Sequence, residues 1–559
     1  MVRNILNRIA APIRGLHEAA YVLALLALLS QILALVRDRL LAAAFGAGGT
    51  LDIYYAAFRI PDFLFATVAS LLSLYALMPV LSRLEEEHPG RMLSFLRQAL
   101  VLFFVGMGIV GVVAFIAAPW LSHVIAPGFT GATESQLVLL TRILLLQPIL
   151  LGASNLLANL TQMRNRFLLL AVSPLLYNIG IIIGVVALYP LFGIAGLGWG
   201  VILGAFMHMA LQVPYFSSER STARLPLSES LRYLREVLAL SVPRTFALAS
   251  SQISLVILTA IASFFAAGSI AVFMLAYNLQ AVPIAIIGVS YSVAAFPTLA
   301  RLYAKGERGE VSRHVETALR HLLFWSIPAT VLTIVLRAEL VRVILGAGAF
   351  DWSATRLTAA ALALFVVSLV AQNVTLLIAR TYYAAGNSKK PLYYGIVDIV
   401  VSVGSALALA ALFHASSATR LFIESLLRVD SLPGTTVLML ALGYALGSIG
   451  EAAVGYVFFV RDFAIPQKRI RRLVFQSFGA SVIGGGIAYL ALAALGGGIL
   501  STTLGVFFAG LIAGIAGIAA TVLLLHYLGN EELGEAYRAL RGRMLTAPAP
   551  AIETTDIES

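Results

Sequence analysis

Between positions 37 and 62 the chain places Arg37-Asp38-Arg39, Asp52, Arg59 and Asp62 among residues that are mostly Leu, Ala, Ile, Phe and Tyr. A charge inside a membrane-spanning helix costs roughly 2.5 to 3.5 kcal/mol, so such groups are expected to face a cavity or a partner. The guanidinium is a planar fork of donors that matches phosphate oxygens two at a time. A carboxylate beside it can orient it or balance its charge. Asp52 and Arg59 are seven residues apart and Asp62 follows three later, which puts all three on one face of a helix. Two readings of this cluster stand. In one, Arg37, Asp38, Asp52, Arg59 and Asp62 line a cleft that receives a phosphate-rich headgroup. In the other they are a salt-bridged brace that fixes helix packing and touches no ligand. Pro61 removes one backbone donor and marks either a bend point or a plain packing kink.

Further candidates are thinner. Arg142 could line the same cleft from another helix, and Arg244 follows Pro243 at a helix start. Asn373, Thr375 and Asp398 offer oxygens suited to a hard cation, although hydrogen bonds between packed helices explain them better. The chain has no cysteine, and its eight histidines show no metal-ligand spacing. A phosphate-binding glycine loop, a nucleophile elbow and paired catalytic carboxylates are all missing, so neither an enzyme nor a cofactor or metal centre is expected.

These charges must be carried by membrane helices. Of 559 residues 60% are hydrophobic and 12% charged, far from the usage of soluble domains. Apolar runs are too long and uniform for barrel strands. The expected fold is an all-α polytopic membrane protein of about fourteen transmembrane helices, beginning near Tyr21, Asp52, Leu93, Gln136, Leu168, Ile194, Leu231, Ser269, Leu319, Ser353, Leu392, Thr435, Leu473 and Ser501. With the amino terminus inside, 28 of the 38 basic residues fall on the cytoplasmic side and five, Arg337, Arg342, Arg356, Arg420 and Arg428, on the other. Basic loops are retained inside, so both termini are expected in the cytoplasm. The net charge of +11 is a topology signal on this account, and no nucleic-acid partner is expected.

The chain also resembles itself. Ser30-Gln31-Ile32 and Phe45-Gly46-Ala47-Gly48 match Ser251-Gln252-Ile253 and Phe265-Ala266-Ala267-Gly268 at an offset of 220 to 221, and Pro79-Val80-Leu81-Ser82-Arg83-Leu84 matches Pro297-Thr298-Leu299-Ala300-Arg301-Leu302. The period covers six helices, an even number, which predicts two like-oriented lobes around an axis along the membrane normal. The expected organisation is a basic leader (1–18), an N-lobe (19–216), a C-lobe (217–460), two further helices (461–528) and a cytoplasmic tail (529–559). Twin lobes enclosing a midplane cleft are a transporter's architecture.

Val36-Arg37-Asp38, Phe45-Gly46-Ala47-Gly48 and the run Asp52 to Pro61 closely resemble the amino-terminal signature of the MurJ (MviN) family, within the multidrug/oligosaccharidyl-lipid/polysaccharide exporter superfamily. Ala126-Pro127-Gly128-Phe129, Asn165-Arg166-Phe167 with Pro174 and Asn178, and Ser251-Gln252-Ile253-Ser254 add to the likeness. The resemblance implies alternating-access transfer of lipid II, the undecaprenyl diphosphate-linked peptidoglycan precursor, across the bacterial inner membrane, with coupling to the membrane potential. It implies lipid II and membrane lipids as partners, together with the cell-wall synthesis machinery. Where the family typically carries cations, this chain has Gln31, Phe65-Ala66 and Tyr277-Asn278-Leu279. That shifts weight onto Arg37 and leaves a related cargo open, either another polyprenyl-linked glycan or a drug moved by ion antiport. A membrane scaffold for wall synthesis is the third reading; short cytoplasmic loops weigh against it.

Overall fold

A computed structural model describes residues 16–72, 74–88, 90–164, 166–218, 225–430, 432–495 and 502–545. Arg3, Arg8 and Arg14 of the expected leader, Asn165, and the tail beyond 545 lie outside the described residues.

Every element among the described residues is helical, and twelve of the fourteen expected starts fall on a helix; Thr435 lies in the turn two residues before one, and Ser501 is outside the described residues. In chain order these are α1 (Leu16–Phe45), α2 (Gly49–Ala57, resuming as Arg59–Thr67), α3 (Met92–Ile125), α4 (Ala132–Met163), α5 (Leu168–Phe192), α6 (Ile194–Ala210) and α7 (Leu227–Ala262). The second set is α8 (Ser269–Ala304), α9 (Arg308–Val335), α10 (Trp352–Val366 with Leu369–Ala384), α11 (Lys389–Ala415), α12 (Val437–Phe463), α13 (Gln467–Leu495) and α14 (Thr503–Tyr527). Ten helices among the described residues are long and apolar enough to span a membrane, eleven if the two halves of α10, bent by 46°, count as one. Outside that count, α1 carries Arg37, Asp38 and Arg39, the broken α2 carries Asp52, Arg59 and Asp62, and α7 carries Arg244.

Some boundaries move. α9 starts eleven residues before the expected Leu319, because Arg308–Val335 is one continuous helix. Its Arg320, expected in a solvated loop, is buried against Glu531 and Glu532 of a final helix, Glu531–Leu545, where the tail was expected.

Close helix contact in lipid depends on small residues that let backbones approach. α5 meets α6 through Gly180, Gly184, Gly200 and Gly204, and a Cβ at any of the four would collide with backbone of the facing helix. α11 meets α12 in the same manner through Ser402, Ala406, Gly443 and Gly447. These are corresponding helices of the two repeats. The offset is 222 from Gly180 to Ser402 but 243 from Gly200 to Gly443, so the C-lobe interposes extra chain between the paired helices. That chain contains the helix Ser417–Leu427. In the N-lobe the turn is only Gly193, in a positive-φ conformation.

α13 and α14 pack on each other and, through α9 and the helix Arg337–Leu345, on the C-lobe. The lobes meet where α7 lies against the second half of α2, and where α8 lies against its first half. Replacing Gly180 by Val should force α5 from α6 and lower the thermal unfolding midpoint in detergent, at a cost of about 1 to 3 kcal/mol. Gly479→Ala, where an added Cβ meets nothing, should leave the midpoint unchanged.

Candidate functional site

α2 is built to present its charges. The helix stops at Ala57, and Phe58 links it to a second segment that starts at Arg59, with Pro61 at its third position. The missing Pro61 donor falls in a first turn where no intrahelical acceptor is needed. Arg59 and Asp62 therefore leave from the break itself. The Arg59 side chain is 5% exposed and lies 3.8 Å from the Asp62 carboxylate; its Nε donates to the Tyr55 carbonyl at 3.3 Å.

Opposite, Arg37 of α1 is held from two sides. Its Nε and Nη2 reach Asp38 Oδ1 at 2.9 and 2.8 Å, and its Nη1 donates to Asn178 Oδ1 on α5 at 3.0 Å. The second oxygen of Asp38 accepts from Asn278 Nδ2 on α8 at 3.2 Å. Arg37, Asp38, Arg59 and Asp62 share the wall of one cavity of about 310 Å³ with Tyr54, Tyr55, Gln147, Tyr177, Met274 and Asn278. The Tyr55 hydroxyl and Gln147 Oε1 are buried without a hydrogen-bond partner. Both lobes contribute to the wall, although among the described residues α8 is the sole C-lobe helix in it. Two guanidinium groups and two carboxylates cancel in formal charge. Asp38 and Asn178 take three of the five Arg37 donors, so an anion entering here can meet the remaining N–H on each Nη or take a partner's place.

The other expected site residues are elsewhere in this state. Asp52 does not line the cavity: its two oxygens accept from the Gly268 and Ala271 amides at 2.6 and 2.7 Å. The N-cap of α8 is Gly268, with φ +92° and no side chain to offer, so Asp52 of the other lobe supplies the missing cap and complements the helix dipole. Arg142 packs over Phe115, its Nε donating to the Phe115 carbonyl at 3.2 Å, away from the cavity. Arg244 lies on α7, and its side chain is outside the described residues. Arg39 donates to the Val343 and Ile344 carbonyls at 2.5 and 3.3 Å, capping the carboxyl end of Arg337–Leu345.

Asp52 and Arg39 thus close a junction between lobes at the Phe45–Gly49 loop. The Ala349 amide donates to the Ala43 carbonyl at 2.8 Å, and the Gly128 amide to Ser263 Oγ at 3.0 Å. The repeated motifs Phe45-Gly46-Ala47-Gly48 and Ala267-Gly268 face each other across a cavity of about 290 Å³. Gly268 is essential to this approach, because a side chain there would run into the Ala47 carbonyl. Asn373 and Asp398 do not share a site: Asn373 donates to Ser326 Oγ at 2.8 Å, while Asp398 accepts from Ser254 and Ser402 at 2.7 and 3.1 Å. Among the described residues no group of three acidic or histidine side chains could hold a metal.

Sequence reasoning missed Asn178 and Asn278 as partners of the arginine–aspartate pair, and Tyr55 and Gln147 as wall residues. Uncharged polar residues carry no insertion penalty large enough to stand out in a hydropathy reading.

The family model described as Lipid II flippase MurJ matches residues 41–509. The chain belongs to the MurJ lipid II flippase family. Among curated relatives, the lipid II flippase MurJ of Burkholderia cenocepacia is 27% identical over 384 residues, covering 67% of this chain and 74% of the relative. A probable lipid II flippase MurJ of Rhizobium tropici is 28% identical over 395 residues, covering 68% and 72%. A solved lipid II flippase MurJ in an inward closed conformation superposes with a TM-score of 0.67 at 20% identity over 90% of this chain and 99% of that one. An inward-facing multidrug resistance MATE family transporter of the MOP superfamily gives 0.64 at 15% identity over 78% and 94%. These structures share the two-lobed fold. The MurJ family match takes in the α2 charges but begins just after Arg37-Asp38-Arg39, and it ends before the final helix.

Replacing Asp52 by Asn in this MurJ family member removes a charged acceptor from two amides and should weaken the junction by about 1.5 to 3 kcal/mol. Since the chain has no cysteine, Ala47→Cys with Ala267→Cys provides a unique pair across the junction. Cross-linking of that pair should slow several-fold when Asp52→Asn is added.

Proposed function

We propose that this chain flips lipid II across the cytoplasmic membrane by alternating access, taking the diphosphate of the headgroup between the lobes at Arg37 and Arg59. One observation carries the proposal: a buried guanidinium, Arg59, and a half-buried one, Arg37, converge on a cavity that also holds an unpartnered hydroxyl, in a membrane protein of the MurJ family. Charge-assisted hydrogen bonds from arginine to phosphate are short and about twice as strong as neutral ones. A diphosphate offers charged acceptors to both arginines and to Tyr55 at once, where a neutral sugar offers only the weaker hydroxyl acceptors.

In this reading the phosphate displaces Asp38 from Arg37, and Asp38 then loses its reason to stay aligned with Asn278 of the C-lobe. A tie between the lobes is released by the cargo itself. The cavity is too small for a disaccharide-peptide, so the lobes part on the inner side to admit it, while the Asp52 and Arg39 caps keep the outer side shut. Opening the outer side breaks those caps. The cargo shifts the population by binding one state better. Nothing in this cycle makes or breaks a covalent bond, so the protein is a transporter without enzymatic chemistry.

The basic loops favour both termini in the cytoplasm, and in that orientation the Phe45–Gly49 junction faces outward. Contact with the wall-synthesis machinery, if lipid II is handed over on the outer side, falls to the loops around this junction. A reporter phosphatase fused after Asp430 should be active and one fused after Gly306 inactive; the reverse pattern overturns the orientation.

The direct test is rescue. In cells depleted of their own lipid II flippase, the chain should restore outward exposure of labelled lipid II, and Arg37→Ala should reduce that exposure at least tenfold, the loss of about 1.4 kcal/mol or more. Arg37→Lys, which keeps the charge but not the fork, should fall between them. Correct membrane insertion without rescue by the unmodified chain moves the cargo to another polyprenyl-linked glycan.

A further inference from the structure

The extra chain between α11 and α12 forms an 11-residue helix, Ser417–Leu427, that has no counterpart at the Gly193 turn of the N-lobe. It is well made at both ends. Ser416 Oγ accepts from the Thr419 amide at 3.2 Å at the start, and Arg428 ends it in the left-handed conformation at φ +59°. One side is fastened to the protein. Glu424, 4% exposed, accepts from Arg420 Nε at 2.9 Å and from Thr435 Oγ1 at 2.6 Å, while Ile423 and Leu427 pack on the core.

The other side is apolar and bare. Leu421, Phe422 and Leu426 are 63%, 66% and 64% exposed. At 100° per residue they fall, with Ala418 and Ser425, within an arc of about 140°. Three large apolar side chains on one face of a short helix need a cover. The helix joins two spanning helices, so it sits at the boundary of the bilayer, where an apolar face is covered by acyl chains and a basic edge by headgroups.

The basic edge is present. The exposed Arg428 borders the apolar arc at the helix end, and Arg420, with a side chain 55% exposed, lies on the polar side opposite the arc, paired with Glu424. Arg428 Nη2 donates to the Tyr489 hydroxyl of α13 at 2.9 Å, and tyrosine is enriched at this depth of a membrane. Both arginines belong to the small set on the face opposite the basic loops, where retention in the cytoplasm cannot account for them. Arg356 Nε donates to the Arg428 carbonyl at 2.9 Å, which ties the helix to α10. The segment after it, Leu432-Pro433-Gly434, lines the junction cavity that Asp52 closes.

We infer that Ser417–Leu427 is an interfacial helix that binds an anionic phospholipid surface, with Leu421, Phe422 and Leu426 among the upper acyl carbons and Arg420 and Arg428 on lipid phosphates. The surface anchors the C-lobe side of the junction, so an anionic leaflet holds the Leu432–Gly434 wall while the N-lobe caps open and close against it. The inference stands whatever the cargo is.

The absence of cysteine makes Phe422→Cys a unique labelling position. The full chain carrying a bimane label there is reconstituted in vesicles of phosphatidylcholine and phosphatidylglycerol. Nitroxide at acyl carbon 5 should quench the label roughly twofold more than nitroxide at carbon 12, and aqueous iodide should quench it weakly. At equal mole fraction, carbon-5 nitroxide on phosphatidylglycerol should quench roughly twofold more than on phosphatidylcholine, and Arg420→Gln with Arg428→Asn should erase that preference. The depth measurement keeps both arginines, so it holds even if the double variant misfolds. Strong iodide quenching without lipid quenching overturns the inference, as does stronger quenching from carbon 12. A label shielded from both iodide and lipid means a protein covers the face and also overturns it. Equal quenching by the two headgroups removes the anionic lipid.

Discussion

In hydrocarbon no water is available to answer a charge or an unpaired backbone group, and the structure is organised around that shortage. Asp52 shows how. The first amides of α8 have no acceptor of their own because Gly268 caps the helix, and the carboxylate that satisfies them comes from α2 in the other lobe. Neither partner can be left alone cheaply, so the lobes are held together by a debt each settles for the other. Arg39 does the mirror task at the carboxyl end of Arg337–Leu345. Contacts of this kind are strong while made and costly while broken, which suits a junction that is either shut or open and seldom between.

The Arg37 and Asp38 pair follows the same logic deeper in the molecule. Arg37 is satisfied inside the N-lobe by Asp38 and Asn178, and Asp38 spends its remaining oxygen on Asn278 across the gap. In the proposed cycle an anion that takes Arg37 alters the contact between lobes without touching the C-lobe, and one carboxylate then couples binding to lobe movement. The uncharged Asn278 makes this tie weaker than a salt bridge, since a neutral donor contributes less to a carboxylate than a guanidinium does.

The two repeats share their tightest packing and differ where the chain has something extra. Gly180, Gly184, Gly200 and Gly204 in one lobe, and Ser402, Ala406, Gly443 and Gly447 in the other, make rigid helix pairs of the same design. Rigid pairs let each lobe move as a body. The departure from symmetry, the helix Ser417–Leu427, falls at the C-lobe edge of the junction and adds a surface that the N-lobe lacks.

What the amino-acid sequence determined by itself was everything that depends on the identity of the solvent. Long apolar runs in a 559-residue chain can only be membrane helices, and the offset of about 220 makes two lobes. The same reasoning picked out Arg37, Asp38, Arg59 and Asp62, because charge in lipid is conspicuous wherever it sits, and it flagged Pro61 at the α2 break. Tertiary structure alone decided which of those charges face a cavity and which serve as caps. Asp52 and Arg59 share a helical face by count, yet the break at Phe58 turns them to different neighbours, one toward Gly268 and one toward the cavity. Arg142 was drawn away by the ring and carbonyl of Phe115, and Arg320 by two acids more than two hundred residues later. Spacing along a helix gives direction only while the helix is unbroken, and the partner that satisfies a charge is set by what the fold brings near it, a distance in space that sequence separation does not record.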